Sequence, residues 1–175
     1  MESKIHLCSV EPTDIETLFV WENDREFWDS SNTILPVSRH SLEILVICNM
    51  ESTLAQEKQA RFMIKLGDTK QPKQLVSVGI VDIFDYQALH KRISCGIFIA
   101  PEFQGKGYGK TALQLLAQHG KKHLGLHQLY CEVLASNTKS LALFKKIGFV
   151  ECGRKKDWIW HDEGFCDVLC LQKLL

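Results

Sequence analysis

The stretch Gly96-Ile97-Phe98-Ile99-Ala100-Pro101-Glu102-Phe103-Gln104-Gly105-Lys106-Gly107-Tyr108-Gly109-Lys110 decides how the rest of the chain is read. Ile93 to Ala100 is an apolar, β-branched and aromatic run, the pattern of a buried strand. Pro101 ends that strand, because it has no N–H for the ladder and locks its own φ. Gly105, Gly107 and Gly109 alternate after it, and a helical pattern begins at Lys110. Strand, glycine turn and helix start together make an anion cradle. The unpaired N–H groups of the first helical turn point outward, the macrodipole favours negative charge, and missing side chains let a phosphate reach the backbone. Lys106 and Lys110 add positive charge nearby. A Walker loop is excluded, since Lys110-Thr111 follows the wrong glycine spacing. A dinucleotide fingerprint is excluded too, because the glycines run Gly-x-Gly-x-Gly and lie past the middle of the chain.

The flanking sequence supplies a sheet for this loop. Ile5 to Val10 reads as a first strand with Ile5 and Leu7 on one face. Thr13-x-x-Glu16 reads as a capping box, followed by the stripe Ile15, Leu18 and Phe19. Pro36 and Ser38 open a second helix through Leu42, Leu45 and Val46, fading near Asn49. Arg61–Leu66 and Leu75–Phe84 read as strands, with Gly79 a bulge or a point of close approach. Asp85 to His90 connects into the central strand. Beyond the loop, Ala112, Leu113, Leu116, Ala117, Gly120 and Leu124 form one helical face that covers a sheet. Leu129–Leu134 is a strand, about Asn137 to Ile147 a short helix, and Gly148 its stop. Phe149–Trp160 and Phe165–Leu174 close the chain as strands around His161-Asp162-Glu163-Gly164. The order β α α β β β α β α β β implies a mixed sheet with helices on its faces.

Composition narrows the function. Lys and Arg number 21 against 21 Asp and Glu, and this balance excludes a general nucleic-acid or anionic-membrane binder. The 175 residues suit one domain, 1–175, with no linker-like stretch. No run reaches membrane-spanning length and Met1-Glu2-Ser3-Lys4 begins no signal peptide, so a cytoplasmic location is expected. The seven cysteines are odd in number and lack C-x-x-C pairs, which suits reduced, buried thiols and no metal site. Glu22, Asp24, Glu26 and Asp29, interleaved with Trp21, Phe27 and Trp28, read either as a solvated loop or as an acidic, aromatic-walled rim that attracts a cationic amine.

Gln104-Gly105-Lys106-Gly107-Tyr108-Gly109 and Asn137-x-x-Ser140-x-x-x-Phe144-Lys145-Lys146-Ile147-Gly148-Phe149 together resemble the two signature segments of the GNAT superfamily of acyl-CoA-dependent N-acyltransferases. The resemblance extends over essentially the whole chain and is to the branch holding spermidine and ribosomal-protein N-acetyltransferases. It implies an α+β fold whose central, mixed, mostly antiparallel sheet has helices on both faces and splayed central strands. It implies acetyl-CoA as co-substrate and direct transfer to an amine, either a small molecule such as a polyamine or a protein N-terminus. A non-catalytic acyl-CoA-binding module is the rival class, and self-association into a homo-oligomer is left open. By motif, Gln104, Gly105, Lys106, Gly107, Tyr108, Gly109 and Lys110 would hold the pyrophosphate. The backbone of Ile97, Phe98 and Ile99 would pair with the pantetheine arm, and Asn137, Phe144 and Lys146 would line the cofactor's cleft. Asn137 also reads as a helix N-cap.

Two positions depart from the family pattern. Phe144 stands where many relatives place a tyrosine that protonates the departing thiolate, and Ser94 stands where the spermidine type carries a glutamate. A coenzyme A thiol titrates near ~8.5 like a free cysteine, so the thiolate leaves without full protonation. Tyr130 is the nearest spare phenol by sequence logic. An amine must lose its proton before it attacks, and Asp82 is the first candidate for base or amine-orienting carboxylate, with Asp85 second.

Overall fold

The structure, a computed structural model, describes residues 4–24, 28, 35–71, 74–161 and 164–175. Its strands are β1 (Lys4–Ser9), β2 (Ala60–Gly67), β3 (Val76–Gln87), β4 (Arg92–Ile99), β5 (Gln128–Leu134), β6 (Val150–His161) and β7 (Gly164–Leu174). Its helices are α1 (Ile15–Glu22), α2 (Arg39–Glu51), α3 (Leu54–Glu57), α4 (Tyr108–His123) and α5 (Thr138–Lys146). Among the described residues, the order of helices and strands follows the sequence pattern with one addition. The single turn of α3, capped by Thr53 and Gln56, is too short to show a hydrophobic period.

The strands form one sheet in the order β1-β2-β3-β4-β5-β7-β6. Every pairing is antiparallel except β4 with β5. Period-2 alternation puts Ile64, Val81, Ile83, Cys95, Leu129, Cys131 and Val133 on one face, under Ala112, Leu113 and Leu116 of α4 and Leu141 and Phe144 of α5. On the other face Met63 and Ile80 pack with Leu18 of α1 and Leu42 and Val46 of α2. Ser38 caps α2 by accepting from the Ser41 N–H at 3.0 Å.

The parallel pair is short. Only Arg92–Gln128, Ile93–Leu129 and Ser94–Tyr130 are in register, after which β4 and β5 part. β4 stays on β3 as far as Ile99, and β5 stays on β7 as far as Leu134. Gly79 favours this separation, because a Cβ there would lie 2.2 Å from the Phe98 carbonyl oxygen. The missing side chain lets β4 lean onto β3 and away from β5. Both expectations for Gly79 hold: it is a point of close approach, and the register with β2 shifts directly beside it, where Ile64 pairs with Gly79 and Lys65 with Ser77.

Two local expectations are corrected. The capping pair before α1 is Glu11 and Asp14, with the Glu11 N–H donating to Asp14 Oδ2 at 3.0 Å, not Thr13 and Glu16. Asp14 is also tied to Lys65 Nζ at 2.8 Å, while Glu16 pairs with Arg39 on the surface. The cysteines are all unpaired, but only Cys95 and Cys131 are buried and Cys152 is exposed. Gly148 does end α5 in the left-handed region, at φ +93°. The expected Asp162-Glu163 turn lies outside the described residues.

Candidate active site

Pro101 stops β4, and a 3-10 turn over Pro101–Phe103 delivers the chain to the glycine loop. Gly105 and Gly107 adopt φ +75° and +82°, a conformation that turns successive amides the same way. Among the described residues, the amides of Gly105 through Lys110 have no acceptor, and the next one, Thr111 N–H, bonds Gly107 O at 3.2 Å. A Cβ on Gly105 or Gly107 would meet nothing within 4 Å, so both face open space. Gly109 differs: its Cβ would lie 3.2 Å from Leu143 and 3.4 Å from Ile99. That glycine serves the close packing of α4 on β4 and α5. Lys106 Nζ is anchored on the Glu102 carbonyl at 2.9 Å, and Gln104 Nε2 on the Ile99 carbonyl at 3.0 Å. The loop's donors and shape fit a pyrophosphate.

The gap beyond Ser94 leaves one side of β4 without a strand. Ala100 N–H bonds Val78 O at 3.0 Å on the β3 side, so alternation turns the N–H and C=O groups of Cys95, Ile97 and Ile99 toward the gap. The Ile97 and Ile99 side chains pack under α4, whereas Phe98 lies on the opposite face against Trp21, ring centroids 5.5 Å apart. Asn137 caps α5, its Oδ1 accepting from Ser140 N–H at 3.0 Å. Phe144 is 3% exposed and stacks edge-on against Phe149 at 5.0 Å. It is a core residue and offers little surface to a bound thioester. Lys146 is exposed, and Lys145 lies 3.9 Å from Glu151.

The acids are arranged differently from a simple rim. Glu22 is buried and pairs with Arg61, whose Nε and Nη2 also grip Asp82 at 2.6 and 2.9 Å. Burial alone would push the Arg61 guanidinium down, but Asp82 and Glu22 overcome it and hold it above its ordinary range. Trp28 Nε1 donates to the Glu22 carbonyl at 2.6 Å, so Glu22 and Trp28 brace the sheet. Glu26, Phe27 and Asp29 lie outside the described residues. Asp82 keeps part of its surface, lines a cleft of about 470 Å³ between α2 and β2–β3, and is in register with Gly96 of the parted segment.

Tyr130 stands opposite Ser94, the last pair before the strands part, and its hydroxyl donates to Asp85 Oδ2. Gln87 Nε2 donates to the other oxygen at 2.6 Å. These two bonds, Tyr130's foremost, hold the Asp85 carboxyl below its usual range. Burial first, then Asp85, push the Tyr130 phenol well above its own. A phenol so shifted, with its proton committed to a carboxylate, is a poor acid for a thiolate. Burial likewise pushes the Cys95 thiol up to about 12 and Cys131 higher still, which removes both as nucleophiles. Tyr130→Phe is therefore expected to lower turnover less than about tenfold, against the 10²–10⁴-fold of a lost general acid. Steady-state rates at fixed acetyl-CoA check this, and a loss in the higher range would make Tyr130 the acid.

The acetyltransferase (GNAT) domain profile matches residues 4–150, and the chain belongs to the GNAT acetyltransferase family. It is 34% identical over 91 residues to the spermidine N(1)-acetyltransferase of Vibrio cholerae, covering 52% of this chain and 53% of that protein. It is 30% identical over 93 residues to the spermidine N(1)-acetyltransferase of Escherichia coli K12, covering 53% of this chain and 46% of that protein. The chain thus spans about half the length of the curated relatives it matches. The crystal structure of the Vibrio cholerae enzyme in complex with CoA and spermine superposes with a TM-score of 0.85 at 24% identity, over 97% of this chain and 95% of that one. The shared fold includes the expected mixed, mostly antiparallel sheet with helices on both faces. No described helix is long and apolar enough to cross a membrane.

One acid on the face of β5 that carries Tyr130 escaped sequence reading. Glu132 follows Tyr130 by two positions on the same face of β5 and meets Lys155 Nζ at 2.5 Å across the intervening β7. Only the period-2 pattern of β5 hinted at its direction, and its partner is set by strand order.

Proposed function

We propose that this chain is an acetyl-CoA-dependent N-acetyltransferase that moves an acetyl group to a primary amine by direct attack, with a polyamine as the favoured acceptor. The carrying observation is the row of acceptor-less amides from Gly105 to Lys110 beside a sheet that opens after Ser94. Bound acetyl-CoA supplies an activated acyl thioester. The loop amides, with Lys110, hold its pyrophosphate, and the free edge of β4 at Ile97 and Ile99 orients the pantetheine arm as an added strand. A backbone N–H on that free edge of β4 stabilises negative charge developing on the acyl oxygen. Asn137 lines the arm's far side while capping α5, and Lys146 answers the nucleotide phosphates.

On the acceptor side Asp82 orients the amine. Arg61 takes one lone pair on each Asp82 oxygen and leaves the other free to accept from an ammonium. Asp85, charged and exposed, completes a negative face that attracts cations, and water carries the amine's proton away. The unpaired cysteines suit a reducing cytoplasm. A thiol-release assay with acetyl-CoA tests this. Rates are expected to fall from spermidine through a basic peptide to an acidic peptide, most steeply at low ionic strength. Asp82→Asn should lower turnover more than it lowers acetyl-CoA affinity. Fastest turnover of the acidic peptide would overturn the polyamine reading, and binding of acetyl-CoA without turnover of any amine would make the chain a binding module.

A further inference from the structure

Lys155 Nζ sits 2.5 Å from Glu132 Oε1 and 4.7 Å from the centroid of the Trp158 ring. A carboxylate on one side and an indole face on the other is the arrangement that binds an alkylammonium. The place is also distinctive. Glu132 shares the β5 face with Tyr130, just past the point where β4 leaves, and Tyr130 bridges that face to Asp85. Lys155 reaches the site from β6, over Val168 of β7. Its side chain, four methylenes ending in an ammonium, is chemically the aminobutyl arm of spermidine. All three side chains are accessible, Glu132 at 42%, Lys155 at 34% and Trp158 at 58% exposure.

We propose that Glu132 and Trp158 form a subsite for a remote ammonium of the acceptor, and that Lys155 occupies it as a tethered self-ligand until the acceptor displaces it. This rests on the acetyltransferase reading and extends it. The site selects acceptors that carry a second cationic group at a distance from the reacting amine. A monoamine gains nothing from it. Lys155, being tethered, competes at high effective concentration and weakens binding of the acceptors the site would otherwise hold.

The test compares Lys155→Met and Glu132→Gln with the unaltered protein, reading KM for spermidine relative to KM for a monoamine of similar length. Lys155→Met is expected to lower that ratio about three- to tenfold, because the competitor is gone, and Glu132→Gln to raise it by a similar factor. A ratio unchanged in both variants means an ordinary surface ion pair and overturns the proposal. A rise in both means that Lys155 supports the site instead of competing for it, and overturns it too. Calorimetric titration of spermidine into the CoA-loaded protein gives the same comparison without turnover. Absence of turnover with any amine would defeat the acetyltransferase reading alone, leaving this binding comparison to judge the subsite.

Discussion

Gly107→Val is expected to abolish acetyl-CoA binding, lowering affinity by at least about 100-fold, while the protein stays folded. A Cβ there meets no protein atom within 4 Å, so the new side chain starts in the open space in front of the free amides. A phosphate kept from two such donors loses about 1.5–3 kcal/mol for each charge-assisted bond. The backbone cost at φ +82° is about 1–2 kcal/mol, which a domain of ordinary stability survives. Gly109→Val separates the two kinds of glycine. Its Cβ would already crowd Leu143 at 3.2 Å, so this variant should melt early and lose binding only as a consequence. Calorimetric titration and thermal melts of both variants check the distinction. Unchanged affinity in folded Gly107→Val would remove the cradle from the site.

Arg61→Met is expected to destabilise the protein by about 3–5 kcal/mol at neutral pH, because it leaves the buried Glu22 carboxylate without its partner and frees Asp82 beside it. Methionine keeps the length of the stem, so the loss reports charge more than volume. Denaturant unfolding of Arg61→Met, and of the same variant carrying Glu22→Gln, measures it, the second substitution recovering part of the loss. No recovery would show that packing, not charge, carries the effect. On the proposed assignment of Asp82 to the amine, removing Arg61 should also loosen Asp82 and raise KM for the amine before it affects acetyl-CoA.

Much of the cofactor side was legible because each part of it is a local backbone requirement. Pro101 can end a strand, Gly105 and Gly107 can take positive φ, and Ser38 and Asn137 can cap helices through bonds to residues three positions away. The same locality misled at α1, where Thr13 and Glu16 have the right spacing but Glu11 and Asp14 hold the cap. Asp14 won because it also reaches Lys65 on β2, a contact that no local spacing reveals.

The ion pairs and the Tyr130–Asp85 bond depended on register. Glu22 looked like part of a solvated acidic stretch, and becomes a buried partner of Arg61 because the end of α1 lies against β2 at that residue. Tyr130 looked like a spare acid, and is committed to Asp85 because β5 stays paired with β4 as far as Ser94. Glu132 drew no attention until β6 folded back over β7 and set Lys155 on it.

The order of strands and helices, the phosphate loop and the missing tyrosine at Phe144 were determined by the sequence alone, since backbone conformation and hydrophobic period are properties of consecutive residues. Which acids are neutralised, which remain to meet an amine, and which glycine packs instead of binding were decided only by the tertiary structure. The energy of a charge or of a close contact depends on neighbours that the chain brings back from far along its length.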